Sequence, residues 1–209
     1  MVRPKQAAVG FRVHSGWAAA VAVSLEKGEP VVLGRRRVQL VDTFTYEFRQ
    51  PYHTAEKMLL GQAREFLVRM QDEARRLAYG EVKELATRTE EQGVKLTRCA
   101  LLLASGRTLP ALEKILASHP LIHTADGEHF REAVVHASGR CGLRDFRIKE
   151  KELLERAEAV LRVKSAALMR RVTEMGKPHG APWSQDEKFA TLAAWVALVS
   201  KSSLALKAK

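Results

Sequence analysis

With 209 residues, 46% of them hydrophobic and 28% charged, the chain has the proportions of a globular protein, and its two cysteines exclude a disulfide scaffold. Thirty-five Lys and Arg against 24 Asp and Glu leave a net charge of +11, which favours acidic partners such as nucleic acid, phosphorylated metabolites or an anionic surface. No run approaches the roughly 20 apolar residues of a membrane span, so the expectation is one domain over 1–209 in the cytoplasm, with no membrane partner.

The opening stretch alternates in steps of two: Val9, Phe11 and Val13 share one strand face, and after Ser15-Gly16 so do Trp17, Ala19, Val21 and Val23. A hairpin is expected, because Gly tolerates positive φ and Ser bonds neighbouring backbone in a tight turn. The basic "MVRPKQ" and the small apolar "WAAAVAVS" mimic parts of a secretory signal, but Arg12 and His14 interrupt the apolar core, as mature protein would. "LEKGEP" then turns into "VVLGRRRVQLV", a third antiparallel strand whose Arg35, Arg36 and Arg37 project to alternate faces.

Next, Leu59, Ala63, Phe66, Leu67, Met70, Ala74, Leu77 and Ala78 recur every three or four residues. That period predicts a long amphipathic helix, capped by Thr54, continuing past Gly80 and ending near Gly93. "KLTRCALLLAS" has the length of a buried strand and follows a helix, which predicts a parallel place in the sheet. "SGRTLP" leads into a helix over "ALEKILAS", and another is expected over "GEHFREAVVHAS" with Asp126 or Thr124 near its cap. "LRDFRIKE" alternates as a fifth strand would. A second long helix runs from Leu153 past Leu168 to the loop "GKPHGAPW". Ser184 and Glu187 then have the spacing of a capping box that opens a mostly apolar C-terminal helix over 184–203. Cys99 in an apolar run and Cys141 in a Gly-flanked loop suit reduced thiols.

This order of elements resembles the ribonuclease H-like superfamily; "VGFRVHSGWAAAV" is similar to the first hairpin of RuvC-type resolvases and "SQDEKFATLAAWVAL" to their last helix. The resemblance implies an α/β fold: a mixed five-stranded sheet, three antiparallel strands first and then two βα units, flanked by helices. It also implies a nuclease centre in which carboxylates from the first strand, the fourth strand and the last helix hold two metal ions. Mg²⁺ takes hard oxygen ligands, and two ions close together need several acids. Carried over position by position, Arg12 stands where the first acid belongs, Ala104 and Ser105 at the end of the fourth strand are not acids, and Asp186, beside Glu187, is the one match. An Asp in the first turn of a helix also has a structural use, stabilising the positive end of the dipole. The expectation is therefore a ribonuclease H-like domain with degenerate acidic residues and no intact two-metal centre, in which Arg12 repels Mg²⁺ and attracts phosphate.

Two turns are candidate anion sites: Ser15-Gly16 beside Arg12 and His14, and "SGRTLP" with Ser105 and Arg107. Ligands collect at the carboxyl ends of strands in open α/β sheets, although the second turn lacks the Gly-Lys-Ser/Thr ending of a P-loop. His14, His53 and Asp186 are the candidates for acid–base chemistry. Each His sits near a turn and beside an aromatic, where an exposed or turn-packing role is the simpler reading. "HPLIHTADGEH" holds His119, His123, Asp126, Glu128 and His129, all of metal-ligating type. Pro120 disfavours a regular helix beginning at His119, so on spacing alone no residue is assigned to a metal and no cofactor is named.

Arg35 to Arg37, with Arg162, Lys164, Arg170, Arg171 and Lys177, offer a phosphate-contacting face. Three functions follow. One is a binding or accessory protein for an anionic ligand, nucleic acid included. The second is a hydrolase pooling His14, His53, His119, His123 and Asp186 in one pocket, with or without a transition metal. The third is an oligomerising module that uses Trp183, Trp195 and the apolar last helix as a contact face.

Overall fold

The computed structural model describes residues 5–104 and 108–200. Strands β1 (Lys5–His14) and β2 (Trp17–Glu26) form the expected hairpin around Gly16, whose φ of +84° requires glycine. β3 (Glu29–Gln39) adds antiparallel to β2, whereas β4 (Val94–Leu103) and β5 (Arg144–Lys149) run parallel, giving the order β3-β2-β1-β4-β5. The central strand is β1, so its carboxyl end at Arg12 and His14 lies in the middle of the sheet.

Eight α-helices occur among the described residues: α1 (Tyr46–Arg49), α2 (Pro51–Ala55), α3 (Leu60–Glu91), α4 (Leu112–Leu116), α5 (His119–Arg140), α6 (Leu153–Leu161), α7 (Ser165–Gly176) and α8 (Gln185–Val199). As the periodicity predicts, α3 passes through Gly80 and stops just before Gly93. Three expectations are corrected. Thr54 is not the cap of α3; it lies within α2, where its hydroxyl donates to the Gln50 carbonyl at 3.2 Å, and α3 starts after Leu59 without a side-chain cap. The helix expected over "GEHFREAVVHAS" begins much earlier, at His119, because Pro120 falls in its first turn, where a missing N–H has no partner to lose. Thr124 and Asp126 are consequently interior to α5. The second long helix is two helices, broken where Arg162 adopts a left-handed φ of +56° that no glycine announces.

The pleat of β1 divides the core. Val9, Phe11 and Val13 pack with Leu101 and Phe130 beneath α3 and α5, each buried large side chain contributing roughly 2–3 kcal/mol. On the other face Ala8, Ala100 and Leu102 meet α8, which presents Ala190, Ala193, Ala194 and Ala197. Here the backbones approach so closely that a Cβ on Gly10 would sit 1.9 Å from the Ala190 carbonyl oxygen. Small residues thus set the distance between β1 and α8, and with it the spacing of the polar groups just beyond Gly10.

The capping box of α8 is present: the Ser184 hydroxyl accepts from the Asp186 N–H at 3.1 Å, and Glu187 accepts from the Ser184 N–H at 2.7 Å. At its other end the Arg98 guanidinium donates to the Ala197 and Ser200 carbonyls. Residues 201–203, included in the expected helix, lie outside the described residues. Trp195 is buried against the sheet, and Trp183 packs over Gly176 while donating to the Val172 carbonyl at 2.9 Å. The apolar surface expected to serve as a contact face is therefore covered within the chain by the sheet, α6 and α7. No helix among the described residues is long and apolar enough to cross a membrane.

Candidate functional site

Past Gly10, the alternation of β1 directs Arg12 and His14 to the α8 side. The Arg12 fork engages both oxygens of Glu150, from Nε at 2.9 Å and Nη2 at 2.6 Å, while Nη1 donates to Asp186 Oδ1. That same oxygen lies 2.9 Å from His14 Nε2, which must donate because a carboxylate only accepts. Glu150 follows directly on the last residue of β5, and Asp186 stands in the first turn of α8. Burial alone would raise the Asp186 carboxyl, but the hydrogen bonds and charges of His14 and Arg12 outweigh it and hold the group below the usual carboxylate range. The hydrogen bond to Glu150 is the largest influence on Arg12 and raises it above its ordinary value; burial opposes this, and the hydrogen bond to Asp186 adds to the rise.

Around this network the His14 ring stacks on Trp17 with centroids 4.4 Å apart, and the Arg37 guanidinium lies 4.1 Å from the Trp17 ring centroid. Trp17, Arg35, Arg37, Ser184 and Asp186 line a cleft of about 460 Å³. Arg36 points the other way, to Glu81 on α3 at 2.6 Å, as the alternation predicts. Arg35 donates to the carbonyls of His179, Ala181 and Pro182. Several cations expected on a phosphate-contacting helix face form surface ion pairs within the chain: Arg171 with Glu29, Lys164 with Glu158 and Lys177 with Glu174.

Solved structures similar to this chain include two of RuvC. One, T. thermophilus RuvC in complex with Holliday junction substrate, matches over 93% of each chain with a TM-score of 0.53 at 11% identity. The other, Thermus thermophilus RuvC, matches over 92% of this chain and 93% of that one with a TM-score of 0.50 at 12% identity. The chain has a RuvC-like fold. No protein-family model and no curated protein matches the sequence.

In a RuvC-like fold the network occupies the place at which the resemblance implies two metal ions. The donor set present does not fit them. Glu150 and Asp186 supply oxygens, but a guanidinium already sits between them, and Ala104 offers no ligand at the end of β4. A pair of Mg²⁺ ions needs several carboxylates facing an uncharged space, which Arg12 fills with its own positive charge.

A second polar cluster lies across the sheet, between α2 and the start of α5. Of the exposed and turn-packing roles open to His53, the buried one is found: it is 7% exposed, and its Nδ1 is 2.5 Å from Asp126 Oδ2. Asp126, itself 3% exposed, also accepts the Tyr52 N–H at 2.7 Å. Burial raises the Asp126 carboxyl in spite of the hydrogen bonds from Tyr52 and His53. His119 and His123, one helical turn apart on α5, complete the group, with Nε2 atoms 3.0 Å from each other.

The five residues pooled for a single hydrolytic pocket thus separate into His14 with Asp186 on the α8 side and His53, His119 and His123 on the α5 side. His129 belongs to neither; it is buried with its Nε2 unpartnered, and burial lowers its pKa to about 4. Glu128 pairs with Arg131 at 3.1 Å. Ser15 occupies the hairpin turn one residue beyond His14, and Ser105 and Arg107 lie outside the described residues. Reasoning from sequence missed Glu150. An acid at the carboxyl end of "FRIKE", a parallel strand, was the available signal.

Proposed function

We propose that the chain is a cytoplasmic ribonuclease H-like domain that binds an anionic ligand, nucleic acid foremost, and that Arg12 takes the place of the metal ions of a nuclease centre. The observation that carries this reading is the guanidinium of Arg12 held between Glu150 and Asp186. Phosphodiester cleavage by two metals needs a polarised water and a stabilised leaving oxygen, and a guanidinium bound on three of its nitrogens supplies no metal-bound water. Phosphate contact needs less: cations along a groove suffice.

The cleft beside the network offers Arg35 and Arg37 together with the indole of Trp17, and the net charge of +11 supplies the long-range attraction. The Holliday junction substrate of the similar T. thermophilus protein is a branched polyanion, and the shared fold supports a ligand of that class here. Both cysteines are free, and burial pushes the Cys99 thiol up to about 12, which leaves it unreactive and suits a reducing compartment.

Fluorescence anisotropy with labelled duplex and four-way junction DNA tests the reading. Affinity should fall steeply as salt rises, and Arg35→Ala with Arg37→Ala should lower it and flatten the salt dependence by about two charges. Absent or salt-independent binding contradicts the binding role. Mg²⁺-dependent strand scission abolished by Asp186→Ala contradicts the loss of nuclease chemistry.

A further inference from the structure

The cluster between α2 and α5 has no place in that reading, and its chemistry is of another kind. Three of the chain's seven histidines each bring one ring nitrogen to within 4.8 Å of the other two. The rings are steeply inclined to one another: 87° for His53 and His119, 68° for His53 and His123, and 80° for His119 and His123. Their centroids are 4.5–5.3 Å apart. What matters for sharing one ion is that the nitrogens converge, and here all three do. Tetrahedral Zn²⁺ with Zn–N bonds of about 2.0–2.1 Å places its nitrogen ligands roughly 3.3 Å from each other. The 3.0 Å between the Nε2 atoms of His119 and His123 is already close to that spacing, and the His53 nitrogen, within 4.8 Å of both, needs a shift of at most about 1.5 Å to join them.

A second, independent observation concerns which nitrogen of His53 is available. Asp126, buried and tied to the Tyr52 N–H, occupies Nδ1. The proton is therefore held on that side, and Nε2 is left as the nitrogen of His53 with a lone pair to offer an ion. A carboxylate behind a ligating histidine fixes the tautomer and raises the ring's basicity, and partners of this kind typically matter ten- to a hundredfold in metal affinity. Three neutral nitrogens without a carboxylate among the ligands suit borderline transition ions and are poor ligands for Mg²⁺ or Ca²⁺.

We propose that His53, His119 and His123 form a binding site for one divalent transition-metal ion of the Zn²⁺ class, oriented by Asp126 and with its fourth coordination position open to solvent. His119 and His123 are exposed, so the ion sits at the surface and a water or an anionic oxygen completes its shell. The site joins α2 to the first turn of α5. The positive end of the α5 dipole opposes a cation, at a cost of about two- to fivefold in affinity, which chelation by three imidazoles far exceeds.

The test uses the full chain without an affinity tag, stripped of metal with a chelator and titrated with Co²⁺. One Co²⁺ per chain should bind with the visible d–d absorption of a tetrahedral nitrogen-rich site, be displaced by Zn²⁺, and be unaffected by excess Mg²⁺. Zn²⁺ should also raise the melting temperature. His119→Ala and His123→Ala remove exposed side chains and leave the fold intact by circular dichroism; each should weaken binding at least a hundredfold, and Asp126→Asn about ten- to a hundredfold. Failure to bind Co²⁺ or Zn²⁺, or binding unchanged in both exposed-histidine variants, overturns the site. Neither outcome bears on DNA affinity, which reads the opposite face of the sheet.

Discussion

The two polar clusters on opposite sides of the sheet are built on different principles. On the α8 side, Arg12 supplies a permanent cation and Glu150 and Asp186 close around it, so the charge is balanced by the chain itself. On the α5 side, His53, His119 and His123 bring lone pairs together and supply no fixed charge, while Asp126 holds one of them from behind. The first cluster is satisfied as it stands; the second is arranged to accept something. At the carboxyl end of this sheet the acids are already occupied by the chain's own cation, whereas across the sheet the chain gathers groups of metal-ligating type.

The largest effect that separates the two clusters should come from Gly10→Ala. Its new Cβ meets the Ala190 carbonyl, forces α8 off β1 and pulls Asp186 from Arg12, at about 3–4 kcal/mol of stability by chemical denaturation, while the α2–α5 region keeps its histidine geometry. Acid should act on the other side. The unfolded chain protonates His129 near 6.5 and the folded chain near 4, so stability is intact above about 6.5 and is lost as pH falls through 4, by about 3 kcal/mol in all. Asp126, raised by burial, takes up its proton on the way and returns part of that loss. His129→Leu should flatten the pH profile in this window. Asp186, lowered in the fold, keeps its contribution until pH falls below the ordinary carboxylate range, so the α8 side should survive acid longer.

Smaller changes sharpen the comparison further. Arg12→Ala leaves Glu150 without its partner and Asp186 with His14 alone; partial exposure reduces the cost of a fully buried broken pair to about 2 kcal/mol in a denaturant titration. Arg37→Ala removes a cation stacked over Trp17 and should cost about 1 kcal/mol or less, with its clearer signature in weaker DNA binding.

Much of the fold was legible because it rests on local periodicity. The two-residue alternation around Ser15-Gly16, the three- and four-residue period of α3 and the Ser184–Glu187 box each report a local preference, and each is found. The break at Arg162 is invisible in the sequence because a left-handed arginine has no compositional mark, and the early start of α5 is hidden because Pro120 reads as a helix breaker although it stands in the first turn. The clusters were harder still. Arg12, His14 and Asp186 were singled out individually, but Glu150 enters only because β5 ends beside β4, and the partnership of His53 with Asp126 spans 73 positions in the chain. Such pairings are set by how helices lie on the sheet, which spacing does not encode.

On the proposed function, the guanidinium of Arg12 stands where a two-metal nuclease would hold its divalent cations. Calorimetric titration of the His119→Ala, His123→Ala double variant with Mg²⁺ and Mn²⁺, in the presence of four-way junction DNA, measures this most directly. The account predicts no saturable ion uptake at the Glu150–Asp186 cluster and intact DNA strands; two ions bound per chain, lost together with strand scission on Asp186→Ala, would contradict it.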